Sequence, residues 1–329
     1  MKPGWIERPT LNIDADRNPG ARYSGLHADS VRANQALLRQ VVLQMPPEAT
    51  HLAGKVNANT ANRFHEESVA LAALHGAKWP EVLIGNVSND FFIAMGCTTV
   101  ALAGPDGPVV ARNMDWPMEH LLARASYVLR YNKGGRLAYQ HAGFAASIGV
   151  VTGVSENGFC LAVNAAAAPE PTNMDGYPVL LFLRAVLEDA TSFKAALKMV
   201  TEQPLTVGAM ITLVGSNNDE RVVIERAPTS AALRWAVRNE PLVTTNYYQA
   251  LPSNDVDEAL NSGWKCSRLE RMCALLNGFS LEKSTAADAD QKLLGMLADE
   301  QVRQEITAQH IIMRPRARQM RLFVPDHLV

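Results

Sequence analysis

The chain is 329 residues long, 47% hydrophobic and 19% charged, a globular balance that excludes a disordered or fibrous protein. Lys and Arg number 31 against 33 Asp and Glu, a formal net charge of −2, which argues against nucleic acid or an anionic membrane as the main partner. No run approaches the ~18 apolar residues of a spanning helix, the opening residues lack a signal-peptide core, and four cysteines in so long a chain are no disulfide framework, so a soluble, cytoplasmic protein with one core is expected.

In chain order, the stretch to about residue 90 is polar and helical in pattern. Leu38, Val41, Val42 and Met45 recur at helical spacing, and Pro46-Pro47 stops that helix. A second helix is predicted from a cap at Asn62 to His75, with Gly76 just beyond, and Lys55 to Thr60 between them reads as loop. From Phe91 the pattern becomes strands. Cys97–Ala103 and Pro108–Met114 flank the turn Gly104-Pro105-Asp106-Gly107. Val150–Val154 and Phe159–Val163 flank Ser155-Glu156-Asn157-Gly158, and Met210–Val214 and Arg221–Glu225 flank Ser216-Asn217-Asn218-Asp219. Helical runs Val179–Ala190 and Phe193–Gln203 lie between the second and third hairpins; a helix near Trp264–Leu276 and a hairpin of Ile311–Met313 with Arg321–Val324 follow. Hairpins with helices inserted in pairs predict an α+β layered architecture of antiparallel sheets covered by helices.

Several chemistries lack their motifs. There is no Gly-x-Gly-x-x-Gly, P-loop, Gly-x-Ser-x-Gly or His-Glu-x-x-His; His65-Glu66 begins a zinc helix, but Val69 stands where the second histidine is needed. Cys266 and Cys273 share one helical face and read as apolar core positions, and Cys160 as a core thiol inside a strand. The eight histidines are scattered, so a cysteine–histidine pair has no evident base.

Cys97 stands apart. It opens a strand directly after Gly96, where the helical segment gives way to strands. A free thiol near pKa ~8.5 supplies only a few per cent thiolate at neutral pH, so a nucleophilic cysteine needs help. With the turn centred between Pro105 and Asp106, Cys97 pairs with Met114 and Thr99 with Arg112. Arg112 is then a diagonal neighbour on the face of Cys97. A slip of one residue would turn Arg112 away and leave it an ordinary exposed arginine. Asp115 belongs to the opposite face by alternation and joins the site only if the strand ends or bends, for which Pro117 is the candidate. The missing base can be the α-amine of Cys97 itself, pKa ~7.7–8.0, if the Gly96–Cys97 bond is cut; Asp115 could then hold that amine.

These residues resemble a known family. Gly96-Cys97-Thr98-Thr99 followed by Arg112-Asn113-Met114-Asp115 is similar to the cysteine N-terminal-nucleophile hydrolases, the set that contains choloylglycine hydrolases, acid ceramidase, N-acylethanolamine acid amidase and penicillin acyltransferase. Further segments match in the same order: Glu156-Asn157-Gly158 leading to Asn164, Thr244-Thr245-Asn246-Tyr247, and Ser267-Arg268. The likeness runs from about Glu66 to Arg271.

The resemblance implies an αββα sandwich of two antiparallel sheets between helical layers. It implies a precursor that cuts itself, with residues 1–96 a helical prosegment or small subunit, released or retained, and 97–329 the catalytic subunit. Cys97 would attack an amide carbonyl and carry the acyl group as a thioester, its α-amine moving the protons. Asp115 would orient that amine, Arg112 favour the thiolate, and Asn164 and Asn246 face the oxyanion. Arg268 would organise the site, with Arg271 the competing choice. No cofactor or metal is implied. The expected reaction is hydrolysis of a linear N-acyl amide, its acyl group in an apolar pocket that Trp116 helps to line. Transfer of the acyl group to an amine, a non-catalytic acyl-metabolite-binding protein, and a thiol redox protein using Cys97 are the alternatives. A homo-oligomer stays open. The loop Ala165–Tyr177 is expected to form a mobile rim to the pocket.

Overall fold

The computed structural model describes residues 4–24, 26–88, 96–144, 147–252, 266–282 and 285–329, and within them the strands form two sheets. Edge to edge, the first holds β1 (Trp5–Glu7), β14 (Gln319–Pro325), β13 (Thr307–Arg314), β4 (Val109–Asp115), β3 (Cys97–Leu102) and β12 (Leu242–Thr244). The second holds β11 (Ala231–Trp235), β10 (Arg221–Arg226), β9 (Ala209–Val214), β8 (Cys160–Ala165), β7 (Thr152–Ser155), β6 (Arg136–Gly143), β5 (Tyr127–Lys133) and β2 (Thr10–Asp14). Neighbouring strands are antiparallel, except that β2 lies parallel to β5.

Alternation along β3 and β4 assigns the layers. Ala101 and Val110 point inward, where they meet Ala162, Met210 and Val214 of the second sheet. Val100, Leu102, Val109 and Ala111 point outward against Met272 and Leu276 of α9 (Ser267–Leu276) and Leu293 and Leu297 of α10 (Ala286–Leu297). On the far side, Leu161, Val163, Ile211 and Leu213 pack under α7 (Val179–Asp189), α8 (Phe193–Glu202) and the N-terminal helices. The result is the four-layer αββα sandwich. Both faces of β3, β4, β8, β9 and β10 are covered, so every residue in them is buried, the polar Arg112, Asn113 and Asp115 of β4 and Arg221, Glu225 and Arg226 of β10 included. α7 is buried from Val179 to Leu187, apolar almost all round as a core helix must be.

The hairpin register is as predicted, with Cys97 opposite Met114 and Thr99 opposite Arg112. The other predicted hairpins and the helix pair also form, within a few residues of their expected ends. Phe91 and Trp264 lie outside the described residues. The N-terminal segment differs from its reading. It contains α1 (Pro19–Arg22), α2 (Ala28–Gln44), α3 (Ala53–Asn59), α4 (His65–His75) and α5 (Trp79–Gly85), but it also gives each sheet an edge strand. Lys55 to Asn59 is helix rather than loop, because Ala53, Val56 and Asn57 are buried and Thr60 Oγ1 bonds the carbonyls of Val56 and Asn57 at the helix end. Asn62 caps nothing: it sits at φ 59° in a left-handed turn, and α4 starts at His65. Gly76 ends α4 in the left-handed conformation, as predicted. Cys266 and Cys273 are not core positions. Cys273 is exposed and Cys266 half-buried, because α9 turns Met272 and Leu276 to the sheet instead.

Candidate active site

Cys97 begins β3 and is buried. Arg112, wholly buried one strand away, donates from Nη2 to Cys97 Sγ at 3.0 Å. Its other nitrogens are spent on Thr152 Oγ1 at 2.7 Å and the carbonyls of Val151, at 3.1 Å, and Asn113, at 3.4 Å, so the guanidinium is locked against the sulfur by the second sheet. Burial pushes the thiol up and the charge of Asp115 adds to this; the charge of Arg112, a backbone hydrogen bond from Asp115 and the charge of Arg268 pull it down, and the net direction is upward.

The bond before Cys97 is held as closely. The N–H of Asp115 donates to the Gly96 carbonyl at 3.1 Å. The N–H of Cys97 donates to Asn246 Oδ1 at 2.8 Å, and its carbonyl accepts from Arg268 Nη1 at 2.6 Å. Arg268, on the first turn of α9, also donates to Thr98 Oγ1 at 3.1 Å and to Asn246 Oδ1 at 2.9 Å. Arg271 is turned away into an ion pair with Asp299 at 2.6 Å. Of the two arginines, Arg268 is the one that contacts Cys97.

Asp115 stays in the strand, and its side chain lies on the outer face. Beside it, in the neighbouring strand, the β4–β13 ladder shifts register between Thr307 and Gln309, a bulge that bends the strand end. Thr307 Oγ1 donates to Asp115 Oδ1 at 2.5 Å and Gln304 Nε2 to Asp115 Oδ2 at 3.2 Å. Burial lifts this carboxyl to about 6, against the pull of Thr307, Arg268, Arg112 and Gln304.

The two asparagines differ. Asn246 accepts from Cys97 and Arg268, and of its two amide hydrogens one goes to Ala165 O at 2.8 Å. Asn164, on β8, points from the second sheet to the first. Its Oδ1 accepts from Thr99 Oγ1 at 2.8 Å, and Nδ2 donates to the carbonyls of Thr244 at 3.3 Å and Thr245 at 3.0 Å. Both donors of Asn164 are therefore committed to the chain that leads into Asn246. Sequence reasoning missed Gln304, Thr307 and Glu225. Glu225 Oε2 accepts the N–H groups of Gln249, Ala250 and Leu251 at 2.8–3.0 Å, just after Asn246. Thr307 and Gln304 lie near the end of the chain, and no spacing ties any of the three to Cys97.

An apolar cavity of about 50 Å³ opens beside β4. Met114, Trp116, Phe144 and Val151 of the body line it, and Leu37 of α2 and Gly85 of α5 face them. Asn86 closes one side, its Oδ1 accepting from the N–H groups of Ile148 and Gly149. Cys160 is buried within β8, and burial alone raises its thiol far above the ordinary range.

Residues 102–322 match the acyl-coenzyme A:6-aminopenicillanic acid acyl-transferase family. An N-acylethanolamine-hydrolyzing acid amidase from Caenorhabditis elegans is 24% identical over 259 residues, covering 71% of this chain and 73% of that one. An acid ceramidase from Balaenoptera acutorostrata scammoni is 26% identical over 187 residues, 50% of this chain and 47% of that one. The solved structure of a Caenorhabditis elegans N-acylethanolamine-hydrolyzing acid amidase ortholog superposes with a TM-score of 0.55 at 21% identity over 67% of this chain and 93% of that one, a likeness of fold. With its αββα sandwich and its match over residues 102–322, the chain belongs to the acyl-coenzyme A:6-aminopenicillanic acid acyl-transferase family, among the N-terminal-nucleophile hydrolases that its motifs resemble.

Proposed function

We propose that the protein is a self-processing cysteine amidase that cleaves the linear amide bond of an N-acyl substrate. The observation that carries this is the surrounding of the Gly96–Cys97 bond: Arg112 on the sulfur, Asp115 N–H on the Gly96 oxygen, and Asn246 and Arg268 on the Cys97 backbone. In self-cleavage the thiol attacks the Gly96 carbonyl, a C–S bond replaces the C–N bond, and the thiol proton goes to the released α-amine. Water then hydrolyses the thioester, leaving a Gly96 carboxylate and a free Cys97 thiol.

The same atoms serve turnover. Cys97 takes the acyl group of R–CO–NH–R′ as a thioester, its α-amine moves the thiol proton to the leaving R′NH2, and water releases R–COOH and restores the thiol. Asp115 holds the α-amine. The second hydrogen on Asn246 Nδ2 serves the oxyanion, and Asn164 acts one step back by holding Thr244 and Thr245. The acyl chain enters the apolar cavity beside Trp116. The C. elegans and whale relatives are by name an acid amidase and a ceramidase, which supports an N-acyl amide as substrate. Interception of the thioester by an amine is the second reading, favoured by the family's acyl-transferase name. Products made with and without an added amine distinguish the two.

The test is the intact mass of purified wild type beside Cys97→Ala. Two fragments meeting at Gly96 and Cys97, with one whole chain from the variant, are expected. A folded wild type that stays whole overturns the reading, because Cys97 then has no free amine to act as base.

A further inference from the structure

Gln304 touches both the carboxylate and the residue before the scissile bond. It lies between α10 and β13. Its Nε2 donates to Asp115 Oδ2 at 3.2 Å, and its N–H donates to Thr307 Oγ1, which in turn donates to Asp115 Oδ1. The same amide covers the Cα of Gly96. A methyl group placed on Gly96 would sit 1.7 Å from Nε2 and 2.6 Å from Cδ. Gly96 is not in the left-handed region, so it is the Gln304 amide, and not the backbone, that a side chain at residue 96 would have to displace.

We propose that Gln304 is a positioning residue for self-cleavage, which holds the Asp115 carboxylate in place only when residue 96 is glycine. The inference rests on cleavage at Gly96–Cys97 as proposed above. A side chain at residue 96 can be housed only by swinging the Gln304 amide aside, which strips one donor from Asp115 Oδ2. Asp115 is also the residue whose N–H meets the Gly96 oxygen. That N–H is the donor for the negative charge that grows on the oxygen as sulfur attacks. Anchoring of the carboxylate thus fixes the geometry of the reacting carbonyl, and displacements of about 1 Å at such centres cost on the order of 100-fold. The carboxylate is faced by Thr307 of β13, Gln304 before it, Arg112 of β4 and Arg268 of α9. Loss of the Gln304 donor moves its titration upward from about 6, since that hydrogen bond pulls it down.

The test follows cleavage of freshly synthesised full-length chain by mass spectrometry, across pH, for wild type, Gly96→Ala, Gln304→Ala, Gln304→Met and Gly96→Ala/Gln304→Ala. Gln304→Met and Gly96→Ala are expected to slow cleavage about 10- to 100-fold. In Gln304→Met the acid limb of the rate profile moves to higher pH, which a general loss of packing would not do. Gly96→Ala adds little to Gln304→Ala, because the amide that it displaces is already gone. If the alanine variant does not melt cooperatively, Gln304→Met alone decides, through its rate and its limb. Wild-type rate and limb in the Gln304 variants, or an equal penalty from Gly96→Ala in both backgrounds, overturn the proposal while self-cleavage stands. An uncut wild type removes the proposed function itself, an outcome visible before any variant is made.

Discussion

Burial works against Cys97, and the residues around it counter that in separable ways. Arg112 meets the sulfur from the inner face, while Asn246 and Arg268 meet the backbone of the same residue. Asn246 keeps an amide hydrogen beyond the one given to Ala165, whereas both of those on Asn164 go to Thr244 and Thr245. The two side chains should therefore fail differently. Asn246→Ala is expected to lower kcat on a fluorogenic N-acyl amide by about 10²–10³. Asn164→Ala leaves buried carbonyls of Thr244 and Thr245 unpaired, which costs roughly 1–3 kcal/mol in denaturant melts, with a smaller loss of kcat. Equal kcat losses in the two variants would place Asn164 at the oxyanion as well.

At the scale of elements, the loop that carries Asn246 is held by the far sheet. Glu225 of β10 takes three consecutive N–H groups after Asn246, and Arg234 of β11 links Glu225 at 3.3 Å to Val243 O at 3.2 Å before it. Glu225→Ala strips all of these partners from a buried site and leaves Arg234 without its carboxylate, a loss of about 3–5 kcal/mol. The expected result is a lowered thermal midpoint together with slowed self-cleavage, and rescue by Glu225→Asp only if the shorter chain still reaches Ala250. A lowered midpoint with unchanged cleavage would make the clamp a matter of stability alone. Why such residues escaped the sequence follows from what encodes them. The Cys97–Arg112 contact was legible because a four-residue turn, Gly104 to Gly107, fixes the pairing of two strands on either side of it. Asn246 and Arg268 were legible through ordered motifs. Gln304 and Thr307 reach Asp115 from 189 and 192 residues away in sequence, and Glu225 holds Gln249 to Leu251 from 24 to 26 residues away, through side-chain contacts that no local period records. The edge strands β1 and β2 escaped for another reason: they have three and five residues, five of the eight exposed, and their order comes from β14 and β5.

Across the whole molecule, the proposed cut leaves two pieces that are sewn together. The segment before Cys97 gives β1 to the first sheet and β2 to the second, pairing with β14 and β5 of the body. Buried Glu67 of α4 meets Arg184 of α7 at 2.7 Å, and Arg63 meets Glu188 and Asp189 at the end of that helix. Residues before Gly96 should thus remain as a bound subunit after cleavage. Cleaved wild type is expected to elute from gel filtration as one species containing both fragments and to separate only in denaturant. Arg184→Met leaves the Glu67 carboxylate buried without that partner and should lower the denaturation midpoint by an amount equivalent to roughly 3–5 kcal/mol. Acid should release the pieces late. Burial raises the Glu188 carboxyl, but Arg184 and Arg63 overcome this and hold it at about 2. Its stabilising share is complete above the ordinary glutamate range near 4.5 and is lost as pH falls from there towards 2. One peak at pH 5 is the expected chromatogram; separate fragments at pH 5 without denaturant would mean that these strand and ion-pair links do not hold the subunits together.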